Sequence, residues 1–155
     1  MANVLIGSYT ARLDASGRIK VPEKFREVIE QVYGKDLFIT SLSDDSIKIY
    51  PLSVWLAMTD LTSDGALHLR PDVRKFMLRV NRNGSRHELD SKGRVLISQA
   101  LRDKARLRDE VEVLGLSNHL EIWNKDVLDG TLEEKPLSDQ DFESIARLIP
   151  RGKPE

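Results

Sequence analysis

The chain has 155 residues, of which 40% are hydrophobic and 32% charged, a composition that is ordinary for a globular protein. It contains no cysteine, which excludes disulfides, thiolate metal sites and a cysteine nucleophile. No apolar run approaches the ~20 residues of a membrane-spanning helix, and residues 1–7 lack the features of a secretory signal. We therefore expect a cytoplasmic protein that has no contact with membranes.

The formal net charge of −1 hides an uneven distribution of charge along the chain. Residues 68–108 carry 12 Lys and Arg against 4 Asp and Glu, whereas residues 126–155 carry 4 against 8. Because phosphate binding requires a local excess of Lys and Arg, the basic middle is compatible with a nucleic-acid ligand. A solvated charged surface explains the same counts equally well.

In chain order, the first predicted element is a hairpin at residues 12–21, and its sequence recurs 76 positions later at residues 88–97. The similarity continues from residues 37–43 to 111–117, and from 47–50 to 120–123. The spacing changes only where loops are expected. The sequence therefore predicts a duplicated module.

Each copy has the pattern of a strand, a tight turn, a strand, a short helix and a second hairpin. In the first copy Ile19 and Val21 alternate with two basic residues, which predicts one core face and one basic face. Helices are predicted over residues 23–32 and 99–107, the second capped by Ser98. Short helices of this kind are stable only when packed, so each copy is an interdependent unit.

Further helices are predicted between the copies and at the C-terminal end of the chain. Residues 53–61 and 71–80 form a helical connector, and residues 138–149 read as a capped helix with an apolar stripe ending at Pro150. Residues 151–155 are expected to be disordered. The fold class is therefore mainly β with short helices, or α+β.

The two turns share an aspartate and a glycine followed by an arginine. Asp14 and Asp90 are suited to accept hydrogen bonds from the backbone two residues on. Gly17 and Gly93 stand where a short hairpin connection needs a positive φ. The arginine that follows is either aimed at a phosphate or a guanine edge, or it pairs with the aspartate and simply staples the hairpin.

The turn of the second copy, Leu89-Asp90-Ser91-Lys92-Gly93-Arg94, resembles that of the MraZ family of transcription regulators. The strand and proline of the first copy, Ile19-Lys20-Val21-Pro22, resemble the same family pattern. A more distant resemblance is to the AbrB and SpoVT swapped-hairpin modules. Ala15-Ser16 and Ser98 depart from the family pattern, so the two copies need not bind DNA equally.

The resemblance implies tandem AbrB-like modules whose hairpins interleave into a pseudo-symmetric double-hairpin barrel, with a helical connector and a C-terminal helix. The implied domains are residues 8–54 and 84–127, separated by the connector 55–83 and followed by the acidic segment 128–155. It also implies a ring-shaped homo-oligomer on nucleoid DNA. This assembly would regulate, most simply repress, the bacterial division and cell-wall gene cluster through repeated boxes in its own promoter.

The resemblance assigns DNA contacts to the turn and helix arginines, with neighbouring basic residues as further candidates: Arg18, Arg94, Arg26, Arg102, Lys20, Lys92 and Arg12. No cofactor, metal or catalytic residue is expected, because His68, His87 and His119 lie in unrelated contexts. A protein-interaction module is the alternative. Its partner could be the rRNA methyltransferase encoded beside such regulators, with the arginines serving only structure.

Overall fold

The computed structural model describes residues 4–60 and 69–150. Residues 151–155 and Leu61, the predicted end of the first connector helix, lie outside the described residues. The chain divides into two compact units, Met1–Lys125 and Asp126–Glu155. Both copies of the repeat fall in the first unit.

The first unit is built on an antiparallel sheet. Six strands lie in the order β1-β7-β8-β4-β3-β5, while β2 and β6 form a separate two-stranded sheet. This arrangement confirms the mainly β, α+β class. The strands are β1 (Leu5–Arg12), β2 (Arg18–Lys20), β3 (Asp36–Thr40), β4 (Ile47–Pro51), β5 (Ser85–Glu88), β6 (Arg94–Leu96), β7 (Glu110–Ser117) and β8 (Leu120–Trp123).

The strands of the two copies pair with each other. β1 of the first copy lies beside β7 of the second, and β5 of the second lies beside β3 of the first. The barrel implied by the resemblance is wrong, because over the described ranges the large sheet is open, with β1 and β5 at its edges. Closure would need β1 to pair with β5, but among the described residues β1 pairs with β7 alone and β5 with β3 alone. β2 and β6 pair with each other in the separate sheet.

Short helices follow the strands at the predicted positions, with shifted ends. The first is α1 (Glu23–Val28), which continues as a π-helical turn to Tyr33 and stops at Gly34, whose φ is 88°. The connector contains α2 (Leu52–Met58) and α3 (Pro71–Arg82). α4 (Gln99–Lys104) ends earlier than predicted because Arg106 has a left-handed φ of 56°.

Two apolar clusters form the core of the first unit. The larger cluster includes Ile19 and Val95, one from each copy, both 1% exposed. The smaller cluster joins Phe38, Tyr50 and Trp55 to α3, and the rings of Phe38 and Trp55 stack at 4.7 Å. Trp55 and Trp123 are both buried.

The second unit consists largely of two helices, α5 (Lys125–Glu134) and α6 (Asp139–Leu148). The predicted cap of α6 is confirmed, since Ser138 and Asp141 form a reciprocal capping box. The apolar stripe is also present, but Phe142 is 57% exposed and Ile149 lies beyond the helix end. Within the described residues, no helix is long and apolar enough to cross a membrane.

Candidate nucleic-acid interface

The pairing of β2 with β6 produces one basic outer face. Arg18 lies opposite Leu96 and Lys20 lies opposite Arg94, and directly opposed residues share a face of an antiparallel pair. Ile19 and Val95, between them, point the other way into the core. We call the outer surface formed by Arg18, Lys20, Arg94 and Leu96 the strand face.

The turn of the first copy has the geometry predicted from its sequence. Asp14 Oδ1 accepts hydrogen bonds from the backbone N–H groups of Ser16 at 3.0 Å and Arg18 at 2.9 Å. Gly17 has a φ of 88°. The hydroxyl of Ser16, followed by the backbone N–H of Arg18, lowers the pKa of Asp14 below its ordinary value. The carboxylate therefore stays ionised and keeps the turn closed.

The turn of the second copy repeats this geometry. Asp90 Oδ1 accepts from the backbone N–H groups of Lys92 at 2.9 Å and Arg94 at 2.8 Å, and Gly93 has a φ of 75°. The hydrogen bond from the Arg94 backbone is the main cause that lowers the pKa of Asp90. In both turns, therefore, the aspartate accepts backbone hydrogen bonds and the glycine has a positive φ.

The two turn arginines differ in what holds their side chains. Arg94 Nε donates to Asp90 Oδ2 at 2.9 Å, and its Nη1 lies 3.9 Å from Asp14 Oδ2 of the other turn. Arg18 Nη1 donates to the Ser16 hydroxyl at 2.9 Å, and within the described ranges no carboxylate lies within 4 Å of it. The ion pair between the turn aspartate and the turn arginine is therefore found at Arg94, whereas the charge of Arg18 is not compensated by a carboxylate among the described residues.

The two helix arginines reach across to the turn of the other copy. Arg26 Nε pairs with Glu30 at 3.0 Å, and its Nη2 donates to the carbonyl oxygen of Ser91 at 3.2 Å. A Cβ added at Gly93 would stand 2.7 Å from Arg26 Cδ, so glycine makes room for this side chain. The contacts with Ser91 and Gly93 cross between the copies, which ties the first helix to the second turn.

Arg102 makes the corresponding contact in the opposite direction. Its guanidinium group lies against Gly17 of the first turn, where an added Cβ would stand 2.9 Å from Arg102 Cζ. Within its own copy, Arg102 Nε donates to the carbonyl oxygen of Ile97 at 3.0 Å. The backbone reinforces the exchange, because Ile97 N–H donates to the carbonyl of Gly17 and Val21 N–H to that of Gly93. All four predicted arginines are therefore gathered around the β2–β6 pair.

Of the weaker candidates, Lys20 belongs to the strand face, and Arg12 and Lys92 are its neighbours. Arg12 and Lys20 line one shallow depression beside Pro22. Lys92 is exposed in the second turn, and its backbone N–H is the part held by Asp90. The seven predicted residues thus form a basic surface in which guanidinium groups can make bidentate contacts with phosphate or guanine.

Sequence reasoning missed the groups that support the arginines. Glu30 and the backbone carbonyls of Ser91 and Ile97 carry no recognisable signal of their own. The one available signal was the repeat itself, since Arg26 and Arg102 are equivalent in the two copies. The described part of the chain has no group of three His, Asp or Glu residues that could hold a metal ion.

Comparison with known proteins gives a consistent picture. A family model described as an antitoxin-like MraZ protein matches residues 82–147. Proteins named Transcriptional regulator MraZ from Acidobacterium capsulatum, Finegoldia magna and Natranaerobius thermophilus are 34%, 35% and 32% identical to this chain. The matches cover 92%, 79% and 94% of this chain and 97%, 82% and 96% of the respective relatives.

Proposed function

Because the chain belongs to the MraZ family of transcriptional regulators and not to a family of enzymes, we propose that it binds double-stranded DNA sequence-specifically through the strand face. The observation that carries this proposal is the β2–β6 pairing, which joins Arg18, Lys20 and Arg94 on one surface. A rigid backbone beneath these side chains limits the entropy lost when they bind.

The proposed contacts fall into two groups. Arg18 and Arg94, which leave a constrained turn, are the candidates for reading base edges, with Lys20, Lys92 and Arg12 as neighbours for phosphates. Arg26 and Arg102 support the turns and have guanidinium N–H groups to spare for phosphate, because each uses only one or two of five. Bases and backbone would thus be contacted by different members of one cluster.

We propose that the domains are residues 8–54 and 84–127, two AbrB-like swapped-hairpin modules, with the connector 55–83 and the tail 128–155. The pairing of β1 with β7 and of β3 with β5 supports this exchange of strands between copies.

The protein would act in the cytoplasm on nucleoid DNA, as a ring-shaped homo-oligomer on repeated boxes of its own promoter. Linked weak sites multiply in affinity when their spacing matches the boxes. Repression of the division and cell-wall gene cluster is the proposed output.

The test is a binding titration on DNA from upstream of the protein's own gene and on a scrambled duplex. Wild type should prefer the promoter, with a log-log salt slope of about −0.9 for each phosphate neutralised. The Arg18→Ala/Arg94→Ala variant should lose most of this preference. The control, Lys135→Ala/Arg147→Ala, removes the same charge from exposed positions in the second unit. Retained preference in the folded Arg18/Arg94 variant would contradict the site assignment.

The protein-interaction module is a second candidate because α6 exposes an apolar stripe. Phe142 is 57% and Ile145 43% exposed, and large exposed apolar patches often mark contact surfaces. This role predicts that Phe142→Ser/Ile145→Ser abolishes capture of the rRNA methyltransferase by the wild-type chain. If the wild-type chain shows neither promoter preference nor salt-dependent DNA binding, this second candidate replaces the first.

A further inference from the structure

A second basic surface, which shares no residue with the strand face, lies on helix α3. Lys75, Arg79 and Arg82 occupy positions i, i+4 and i+7, so they form a row along one side of the helix. They line a shallow depression of about 330 Å³, and none of the residues that line it is acidic: Lys75, Leu78, Arg79, Arg82, Asn83 and Lys104. Four of these six residues are cationic.

The contacts of this row leave most of its charge uncompensated. Within the described ranges, no carboxylate lies within 4 Å of Lys75, Arg82 or Lys104. Arg79 pairs with Asp44 at 3.1 Å, but both side chains are well exposed, at 42% and 71%. An exposed pair of this kind is weak and can be exchanged for another anion. Lys104 Nζ donates to Asn83 Oδ1 at 3.0 Å, which holds its ammonium group beside the end of α3.

We infer that this row, with Lys104, is a second DNA-binding surface that contacts the phosphate backbone and reads no bases. This inference rests on the proposed function. Lys75 and Arg82 are seven residues apart, or about 10 Å at 1.5 Å per residue, which matches about three phosphate steps of 3.4 Å measured along the DNA helix axis. An extended row of cations fits a polyanion better than a compact nucleotide.

The surface lacks the groups that would read a sequence or bind a nucleoside. No aromatic ring is among its six lining residues, and the amide oxygen of Asn83 is already an acceptor for Lys104. Long cationic side chains without a rigid turn are suited to contact with phosphate, as a point charge for lysine and through paired hydrogen bonds for arginine. The contribution of α3 to binding is therefore uniform across DNA sequences and depends on salt.

The test uses the full chain with Lys75→Ala/Arg82→Ala, and Lys135→Ala/Arg147→Ala as the matched control. On both promoter and scrambled DNA the α3 variant should reduce the magnitude of the log-log salt slope by about 1.8, or 0.9 for each of two phosphates. The ratio of promoter to scrambled affinity should stay within about twofold of the wild-type value. The control should leave both quantities at their wild-type values.

Several outcomes would overturn the inference while leaving the proposed function standing. An unchanged salt slope in the folded α3 variant would do so, and so would a slope change equal to that of the control. A changed oligomer mass by light scattering, with an unchanged slope, would identify the row as a protein contact instead. Failure of the proposed function looks different, because wild type itself would then show no preference for the promoter.

Discussion

Arg26 Nη2 donates to the carbonyl oxygen of Ser91 at 3.2 Å, across 65 positions of the chain. The contact joins the helix of the first copy to the turn of the second, and Arg102 lies in the same way against Gly17. Each turn is thus supported from within by its own aspartate and from outside by an arginine of the other copy. The presentation of Arg18 and of Arg94 therefore depends on both halves of the chain.

Replacement of Gly93 by alanine should destabilise the fold. The residue has a φ of 75°, where a Cβ costs roughly 1–2 kcal/mol, and that Cβ would also meet Arg26 Cδ at 2.7 Å. We expect a loss of at least about 1 kcal/mol in urea unfolding. Gly130→Ala in α5 is the matched control, because nothing lies within 4 Å of its added Cβ. The control should be neutral or gain up to about 1 kcal/mol, and equal losses in both variants would contradict the explanation.

Arg26→Ala should reduce the loss of stability that Gly93→Ala causes. The substitution removes the side chain that the new Cβ would meet, so the two changes are coupled. In a double-mutant cycle, adding the melting-temperature shifts of the two single variants gives the value expected without coupling. The double variant should melt at least about 1 °C above that value. Additive shifts in melting temperature would show that the Gly93 defect comes from backbone conformation alone.

Arg18 and Arg94 should differ in the balance between stability and binding. Arg94 is tied to Asp90 and lies near Asp14, whereas the side chain of Arg18 is held only by the Ser16 hydroxyl among the described residues. We expect Arg18→Ala to weaken promoter binding at least tenfold without lowering the melting temperature. Arg94→Ala should lower both. A drop in melting temperature for Arg18→Ala as large as that for Arg94→Ala would contradict this assignment.

Glu121 should make the fold sensitive to acid. Its carboxylate accepts from Lys48 at 2.5 Å and from the Trp123 indole at 2.8 Å, and only 12% of the side chain is exposed. Burial raises its pKa, but hydrogen bonds from His119, Lys48 and Trp123 outweigh this and lower the pKa to about 2. The stabilisation is complete above the ordinary pKa of 4.5 and is lost as the pH falls toward 2.

Urea unfolding at pH 7 and pH 3 measures this effect. Glu121→Gln leaves Lys48 unpaired and should cost about 3 kcal/mol at pH 7. Between pH 7 and pH 3 the variant should lose roughly 2 kcal/mol less than wild type. Glu110→Gln, which breaks the exposed pair with Lys125, is the control and should change little. An acid sensitivity of Glu121→Gln equal to that of wild type would rule out the assigned role.

Ser98 should tolerate proline better than alanine. Its side chain accepts from the backbone N–H of Leu101 at 3.3 Å and caps α4, so Ser98→Ala should cost about 1 kcal/mol. The φ of Ser98 is −61°, which proline adopts without strain, and Pro22 occupies the same cap position before α1. Ser98→Pro removes the capping hydrogen bond, but proline also restricts the conformations of the unfolded chain. The free energy of unfolding of Ser98→Pro should therefore be within about 0.5 kcal/mol of wild type. A larger loss from proline than from alanine would contradict the prediction.

Much of the site could be predicted from the sequence because its turns are built from local contacts. Asp14 and Asp90 bond backbone groups two and four residues on, and Gly17 and Gly93 supply the positive φ, all within a few residues. In β2 the alternation of apolar and basic residues likewise predicted that Ile19 faces the core and that its basic neighbours face the other side. The cap at Ser98 follows the same rule, since a cap involves only the first turn of its helix.

Only the tertiary structure decided how the two copies meet. Which strand pairs with β2, which turn receives Arg26, and whether the large sheet closes all depend on faces that are buried together from distant parts of the chain. No local pattern encodes such choices, because a strand offers the same backbone groups to any partner. The sequence by itself determined two turns that each present an arginine; their assembly into one basic surface was decided by the pairing of Lys20 with Arg94 over a shared core.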